Sequence, residues 1–541
     1  MVNYSLFAKT DDVAYNILTA LEYCKQKNED GLIFDKAIYN IFEDKASQGV
    51  YSMSNHTHPG IKKASFLLKD FENFTLDGGD STFVMQDILT PVILDKCKNI
   101  KIKGFNFESK NTLNVQFEVV RSGDGWIEIR PEIGNAFIYD GCLFAGEFDG
   151  KVLNPDKINK KCAMLYHFFE YDMTRNLRED VPAYTIYGDD DVPIISYADD
   201  GLIRLEKLKR NFPVGNHLVF ISLSRCSANI FINECKDVEI FDTTLYSGIG
   251  MGIIAQNSEN IDIHNFNTKL SGARCYSINA DATHFVHCKG LIHIHDCVFE
   301  AQLDDALNIH SLYLKVVGIT ENKLLLKYMH HESKGIEIFD KGGILQISKP
   351  DTLLPYAEFV IKNVNKINYD YVEVEVEGDI SVVKTGDVAD EISYIPDVIF
   401  ENNVISKLRS RGMLLASAGK IVVRNNVFEN RGTAIKFESD GKFWFESGAT
   451  KDVLISDNKF SGCKRLKWGT AVIEVSPREK TEKDRYYHSK IEVINNSFVD
   501  CKGYIASVNN TETFIFKDNL IKNHDNKICD ISHCKINEID I

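Results

Sequence analysis

The sequence predicts an all-β protein: a right-handed parallel β-helix with two inserted small antiparallel β-barrel-like domains and an N-terminal capping helix. Three observations support this fold class. A strand-like phrase returns at a step of 23 residues, two stretches of hairpin-like sequence interrupt it, and one amphipathic segment lies near the N-terminus. Short strands that repeat without intervening helices are typical of a solenoid whose coils stack about 4.8 Å apart.

The repeated phrase alternates apolar and polar residues and ends in Asn, Asp or Gly. Examples are KNIKIKGFNF from Lys98, KDVEIFDTTL from Lys236, ENIDIHNFNT from Glu259, GLIHIHDCVF from Gly290, GKIVVRNNVF from Gly419 and SKIEVINNSF from Ser489. The steps that measure 23 residues are Val238 to Ile261, Val398 to Ile421 and Ile491 to Phe514. Alternation predicts strands with one inward face, and the polar residues predict tight bends between them.

Two stretches break this period. VQFEVVRSGDGWIEIRPEIG and LYLKVVGITENKLLLKYMHH predict hairpins with Gly or Asn at their turns. The predicted β-helix has three segments, 46–114, 222–311 and 396–541, and the second of them carries the active site. The two inserted β-barrel-like domains are 115–221 and 312–395, and residues 1–45 form the N-terminal cap helix and the first strands.

The segment DDVAYNILTALEYCKQK, from Asp11, predicts the capping helix. Its apolar residues Val13, Ile17 and Leu21 lie on one helical face, and the Asp pair suits the N-cap. The open end of a β-helix is a free sheet edge, so we expect this helix to cover the first coil.

Composition narrows the classes of partner. The chain has 541 residues and a formal net charge of −16 without a Lys/Arg-rich block, which argues against nucleic acid and anionic membranes. No apolar run reaches 18 residues, and no signal peptide is visible, which indicates a cytoplasmic protein or one whose signal has been removed.

The 13 cysteines include no CxxC pair, and Cys97, Cys235 and Cys288 share one place in the repeat, where a small buried side chain is expected. We predict no metal site and no cofactor, because no His/Cys/Asp cluster at ligand spacing appears outside the acids described next.

One acid lies about one coil before a pair of adjacent acids. Asp281 falls in ADATH, and Asp304 and Asp305 fall in QLDDALNIH, so a step of 23 residues predicts that Asp304 stacks on Asp281 with backbones about 5 Å apart. Acids in bends ordinarily cap turns or pair with a cation, here Arg274 or a lysine. Stacked carboxylates repel each other and at least one pKa should rise, and glycoside hydrolysis needs one protonated and one ionised carboxyl group.

At these residues the chain resembles glycoside hydrolase family 110, the α-1,3-galactosidases that act on blood-group B and linear Galα1-3Gal structures. ADATHF and QLDDALNIH carry the resemblance, and SMSNH from Ser52 and GMGIIAQNSENI from Gly250 also match. The resemblance spans residues 5 to 530 and includes both insertions. It implies an exo-acting enzyme, without metal or cofactor, that removes terminal α-1,3-linked galactose from oligosaccharides or glycoconjugates.

The resemblance places the general acid on Asp304 and the water-activating base on Asp281 and Asp305, with inversion of the anomeric configuration. Candidate substrate-binding residues near these acids are Arg274, His284, Gln302, Asn308 and His310. Each has an alternative role: the histidines as bend residues, Arg274 and Gln302 as braces for the acids, and Asn308 as a member of an asparagine ladder. A homodimer is left open.

Two alternatives come from other classes. One is a pectinase-like β-helix hydrolase or lyase, which the adjacent acids suit, but its NTD, GHG and RIK motifs are missing and an anionic polymer should meet basic residues. The other is a non-catalytic carbohydrate-binding β-helix, which gives no reason for three stacked acids.

Overall fold

The computed structural model describes residues 1–57, 59–146, 164–187, 192–222, 225–476, 480–525 and 527–540. One parallel β-helix runs through most of these residues and carries two β-rich insertions, so the predicted fold class is confirmed. Among the described residues, no helix has the length and apolar character needed to cross a membrane.

The strands of the β-helix fall into three groups along the chain. The first group is Val2–Asn3, Gly31–Ile33, Ile38–Ile41, Ser47–Tyr51, Gly60–Lys69, Glu72–Met85, Thr90–Asp95 and Lys98–Ser109. The second is Ile230–Asn233, Lys236–Leu245, Ile253–Gln256, Glu259–Thr268, Thr283–Val286, Lys289–His295, Val298–Glu300 and Leu307–Leu312. The third is Pro396–Glu401, Val404–Ser406, Met413–Leu415, Lys420–Arg424, Val427–Glu429, Ile435–Phe437, Glu446–Ser447, Asp452–Ser456, Lys459–Ser461, Ala471–Val475, His488–Ile494, Ser497–Val499, Tyr504–Lys517, Leu520–Lys522 and Cys529–Ile539.

The predicted step of 23 residues is confirmed by the strand register. The residues that pair in parallel are Val238 with Ile261, Val398 with Ile421, and Ile491 with Phe514. All six side chains are buried and belong to one continuous apolar core that runs along the inside of the coils. The recurring cysteines Cys97, Cys235 and Cys288 lie in the same core, as predicted.

The Asn and Asp residues of the repeat have two different structural roles. Asn425 and Asn495 take left-handed backbone conformations, with φ of 57° and 56°, which turn the chain at a coil corner. The next residue points inward: the Asn426 amide donates to Asn458 Oδ1, and the Asn458 amide donates to Asn496 Oδ1, both at 2.9 Å. This asparagine ladder satisfies buried polar groups where consecutive coils bend.

The predicted capping helix is Val13–Lys27. Its N-cap is Asp12, whose carboxylate accepts the Tyr15 amide hydrogen at 3.0 Å, and the helix ends at Asn28 in a left-handed conformation. Ile17 and Leu21 are buried in the core of the β-helix, so the helix covers the first coils. Short 3₁₀ turns are Tyr4–Leu6, Asp199–Gly201 and His331–Ser333.

The first insertion was predicted to be barrel-like, but among its described residues it contains an open seven-stranded antiparallel sheet and not a closed barrel. In spatial order its strands are Tyr184–Thr185, Leu165–Tyr171, His217–Ser222, Val115–Gly123, Trp126–Ile133, Ile203–Glu206 and Ile194–Tyr197, with a separate hairpin of Ala136–Tyr139 and Cys142–Ala145. Phe169 and Val219 pack against Tyr276 and Leu303 of the β-helix. This contact places the insertion against the two coils that carry Asp281 and Asp304.

The second insertion is a closed six-stranded barrel. In order around the barrel its strands are Leu314–Thr320, Lys323–Lys327, Tyr371–Val376, Pro355–Lys366, Ile344–Ser348 and Val388–Glu391. Its alternating apolar residues fill an apolar core separate from that of the β-helix. The barrel lies between consecutive coils in the chain, because Leu307–Leu312 leads into it and Pro396–Glu401 follows it.

Candidate active site

The three predicted acids lie together where two coils begin their inner strands. The register differs by one residue from the prediction: Thr283 pairs with Leu307, a step of 24, so Asp305 and not Asp304 lies beside Asp281. The Asp305 amide donates to Asp281 Oδ1 at 3.2 Å, and the Ala282 amide donates to the Asp305 carbonyl at 2.8 Å. The extra residue in the bend causes the shift, and it turns Asp304 toward the solvent side.

Oxygen atoms of all three carboxyl groups lie within 4.8 Å of one another. The side chains therefore do not splay to the separation of roughly 6.5–9.5 Å that is usual between the acid and base of an inverting glycosidase. Asp305 is fully buried, the Asp281 side chain is 4% exposed and the Asp304 side chain is 28% exposed.

Two arginines compensate the three acids. Arg411 contacts both oxygens of Asp305, through Nε at 3.1 Å from each and through Nη2 at 2.9 Å. Arg225 donates to Asp304 Oδ2 at 3.0 Å. The three carboxyl groups are close enough together to bind one cation. The guanidinium groups of the two arginines supply positive charge beside them.

Burial and mutual repulsion change the protonation of the acids. Burial raises the pKa of Asp281 to about 7, and the charge of Asp304 adds to this effect. Burial also raises the pKa of Asp305 well above its usual range, although the contact with Arg411 opposes the shift. The predicted rise of at least one carboxyl pKa is therefore present in the structure.

A chain of buried hydrogen bonds leads away from Asp281. Asp281 Oδ2 lies 2.7 Å from His284 Nδ1, His284 Nε2 lies 3.0 Å from His310 Nε2, and His310 Nδ1 lies 2.7 Å from the Ser311 carbonyl. Two neutral imidazoles provide two N–H donors for these three contacts, so one further proton is needed. Burial lowers the pKa of His284 well below its usual value, so this ring is neutral. The further proton then lies on Asp281 or on His310, whose Nε2 is also 3.4 Å from Glu446 Oε1. The raised pKa of Asp281 favours the carboxyl group as its position.

An open pocket of about 80 Å³ lies in front of the acids. It is lined by Asn55, Arg225, Asp281, Asp304, Asn308, Arg411, Leu414, Glu438, Asp440, Trp444 and Glu446. Five carboxyl groups and two guanidinium groups face this space. A pocket of this charge suits a neutral ligand rich in hydroxyl groups better than an anionic one.

A long bend in the third group of β-helix strands supplies another part of the pocket lining. The Asp440 carboxylate accepts the amide hydrogens of Lys442, Phe443 and Trp444 at 2.6, 3.0 and 2.8 Å, which fixes this bend. The Trp444 ring lies 4.5 Å from the ring of His330, beside a 3₁₀ turn of the barrel. The second insertion thus helps to position an aromatic side chain at the pocket.

Asn55 reaches the pocket from the SMSNH phrase. Its amide N–H donates to the carbonyl of Glu332 in the barrel at 3.0 Å, and its side-chain amide donates to Glu446 Oε1 at 3.3 Å. Gln256, from the second matching phrase, donates to the Ser52 carbonyl at 2.9 Å. Two phrases that are about 200 residues apart in sequence therefore contact each other, and Asn55 of the first lines the pocket.

Of the predicted substrate-binding residues, the structure brings Asn308 to the pocket lining. His284 and His310 are buried behind Asp281, in the hydrogen-bonded chain that leads away from it. Arg274 lies over the Tyr276 ring at 5.6 Å, and Gln302 accepts a hydrogen bond from Thr268 at 3.1 Å, so both are engaged within the protein away from the lining.

Several lining residues were missed by the sequence reasoning, notably Arg225, Arg411 and Glu446. Arg411 had a usable signal: once the second insertion is subtracted, it occupies the position one coil after Asp305, because Leu307 pairs with Met413. Arg225 precedes the strand Ile230–Asn233, and Glu446 lies on the short strand Glu446–Ser447, which pairs antiparallel with Leu307–Leu312. Neither residue belongs to the repeat, so periodicity carries no information about them.

Comparisons with known proteins add two family models and several relatives. The chain matches the model described as GLAA-B beta-barrel domain II over residues 323–389 and the model described as right-handed beta helix region over residues 380–540. Proteins named alpha-1,3-galactosidase A of Shewanella woodyi and alpha-1,3-galactosidase B of Parabacteroides distasonis are each 28% identical, over 94% of this chain and over 83% and 86% of their own lengths.

Among solved structures, the A-module of the Azotobacter vinelandii mannuronan C-5 epimerase has a TM-score of 0.41 at 7% identity, and covers 100% of this chain and 98% of its own. An exopolygalacturonase from Thermotoga maritima has a TM-score of 0.40 at 10% identity, and covers 99% and 92% of the two chains.

Proposed function

We propose that this chain, whose resemblance to glycoside hydrolase family 110 is confirmed by its relatives, is an exo-acting glycosidase that releases terminal α-1,3-linked galactose from glycans. The observation that carries the proposal is the pair Asp281 and Asp304, two carboxyl groups of different burial that face one pocket. Such a pair can protonate a leaving group and activate water.

In the primary assignment, Asp304 is the general acid and Asp281 is the base. Asp304 is the more exposed carboxyl group, so it can reach the glycosidic oxygen of a bound sugar. Asp305 takes no direct part in binding, because it is fully buried against Arg411, but its backbone amide donates to Asp281 Oδ1 and so helps to position that carboxyl group. His284 and His310 act as positioning residues that set the protonation of Asp281.

One observation favours an exchange of these roles. Asp281 is the carboxyl group on which the hydrogen-bond chain places a proton, while Asp304 is paired with Arg225. A proton donor at Asp281 and a base at Asp304 form the second candidate. The two assignments predict opposite responses to a leaving group that needs no protonation.

The stereochemical course forms a separate element of the proposal. The resemblance implies inversion, whereas acids whose oxygens lie within 4.8 Å are closer than the usual inverting pair. We propose inversion because Asp281 and Asp305 are both tied to neighbours, His284 and Arg411, and neither is free to rotate into a covalent bond with the sugar.

The pocket supports a neutral sugar as ligand. Glu438, Asp440 and Glu446 offer acceptors for sugar hydroxyl groups, and Trp444 offers an aromatic face. Uronate polymers, the substrates of pectinases, would meet these carboxylates unfavourably. The same negative charge supports a glycan as partner in place of nucleic acid or an anionic membrane, and light scattering tests the homodimer that the sequence left open.

A screen of α-linked galactosides, with released galactose quantified, tests the activity. We expect release from α-1,3-linked galactose termini, including blood-group B type and linear Galα1-3Gal glycans, and none from polygalacturonate. Asp304→Asn should remove nearly all release while leaving binding measurable by calorimetry. A wild-type protein that binds these glycans without releasing galactose would instead support the non-catalytic carbohydrate-binding alternative.

A further inference from the structure

A second cluster of polar side chains lies on the outer face of the β-helix. It offers metal ligands where the sequence predicted none, because its Asp and His residues come from neighbouring coils and form no continuous motif. In Glu259–Thr268 and Lys289–His295 the alternating isoleucines are buried, so the residues between them point outward. Asp262 pairs with His293 across these two strands, and His295 follows two residues later on the same face. The HxH sequence on a strand therefore places two imidazoles beside one carboxylate, using no residue of the pocket.

The outer nitrogen of each imidazole is already committed to a carboxylate. His293 Nε2 lies 3.0 Å from Glu401 Oε1, and His295 Nδ1 lies 2.7 Å from Asp296 Oδ2. Because an ionised carboxylate only accepts, these nitrogens carry the hydrogen. In neutral rings the other two nitrogens, His293 Nδ1 and His295 Nε2, then carry lone pairs.

Both lone-pair nitrogens lie close to the same carboxylate oxygen. Asp262 Oδ1 lies 3.7 Å from His293 Nδ1 and 3.3 Å from His295 Nε2, and this oxygen is buried without a hydrogen-bond donor among the described residues. Three acceptor atoms that converge in this way repel each other unless a cation lies between them.

The spacing of the three atoms fits a bound metal ion. Ligand atoms about 2.0–2.2 Å from a tetrahedral Zn²⁺ ion are roughly 3.3–3.5 Å apart, close to the two measured distances. The carboxylates behind the histidines match the arrangement that usually orients metal-bound imidazoles. We propose that Asp262, His293 and His295 bind a divalent transition metal ion of the Zn²⁺ type.

This ligand set leaves one coordination position to solvent. The side chains of His293, His295 and Asp262 are 24%, 22% and 45% exposed, so the ion can enter from outside without unfolding of the coil. Asp262 lies on one coil, and His293 and His295 lie on the next. The bound ion would therefore cross-link two neighbouring coils.

Titration of the metal-stripped full-length protein with ZnCl₂ in a calorimeter tests the proposal. We expect one Zn²⁺ per chain and a loss of affinity of at least about 100-fold in His293→Ala/His295→Ala. Glu401→Gln, which removes the orienting carboxylate and its ion pair with Arg424, should lose about 10-fold. His533→Ala, which deletes a surface imidazole on the strand Cys529–Ile539, serves as the matched control and should bind like wild type.

Asp262→Asn provides a second variant that keeps the shape of the site and should also lose Zn²⁺, so the test does not depend on the folding of the double variant. The proposal is overturned if Zn²⁺ is not taken up. It is equally overturned if the ion is lost in Asp304→Asn and retained in His293→Ala/His295→Ala, which places it at the pocket acids.

Discussion

Replacement of Asp281 by Asn should stabilise the protein while it abolishes activity. The amide of Asn is a close mimic of the protonated carboxyl group: its oxygen can accept the Asp305 amide hydrogen and its nitrogen can donate to His284 Nδ1. The variant therefore keeps the contacts of the protonated form and removes the charge that burial and Asp304 oppose.

The sign of the pH dependence follows from linkage. The folded-state pKa of Asp281 is raised from 3.8 to about 7, so its contribution to stability is fully present below pH 3.8 and is lost as the pH rises to 7. With about 1.4 kcal/mol for each pH unit, the advantage of Asp281→Asn over wild type should grow by about 2–3 kcal/mol between pH 5 and pH 8.

Thermal unfolding at the two pH values measures this difference. For a chain of this length, a gain of that size corresponds to an increase in Tm of about 2 °C. Asp452→Asn, at an exposed position on the outer face, is the control and should show no pH-dependent gain. An Asp281→Asn protein that is no more stable than wild type at pH 8, or whose advantage does not change with pH, would refute the reasoning.

Four further predictions concern the chemistry. Asp304→Asn should lose about 10²–10⁴-fold in turnover of natural galactosides but retain turnover of α-galactosyl fluoride, because the fluoride leaving group needs no acid. Asp281→Asn should lose turnover of both substrates. The reverse pattern supports the exchanged roles. Proton NMR of early product should show β-galactose before mutarotation, and early α-galactose contradicts inversion. Exhaustive chelation should leave turnover unchanged, and a loss that a divalent ion restores contradicts the metal-independent proposal. Trp444→Ala should raise KM more than it lowers kcat, and equal falls in kcat and kcat/KM contradict a sugar-binding platform.

Much of the architecture could be predicted because the same sequence pattern recurs in many coils of the solenoid. Val238 and Ile261 each report the same inward ladder, so any one weak signal is reinforced by others. The cluster of acids was predictable for the same reason. Its register was not, because one extra residue in a bend is invisible to a period that is averaged over many coils, and this residue exchanges Asp304 for Asp305 beside Asp281.

The surroundings of the acids were harder to predict. Arg411 lies 106 residues from Asp305 in sequence, with the second insertion between them. Trp444 comes from an irregular bend, and Glu446 from a two-residue strand that follows it. Exposure also could not be inferred from residue type: His284 and His310 have the chemistry of sugar-binding side chains, yet they are buried behind the acid that they contact.

Unequal coil lengths have a consequence for how such a protein acquires chemistry. The coil from Ile253 to Thr283 takes 30 residues and the next coil, from Thr283 to Leu307, takes 24, whereas regular coils take 23. Each additional residue shifts the register of the residues that follow it in the bend. A different side chain then takes the position beside the neighbouring coil. Insertions and deletions at bends, more than point substitutions in strands, are then the mutations by which a solenoid brings reactive groups to its surface while its core ladders stay intact.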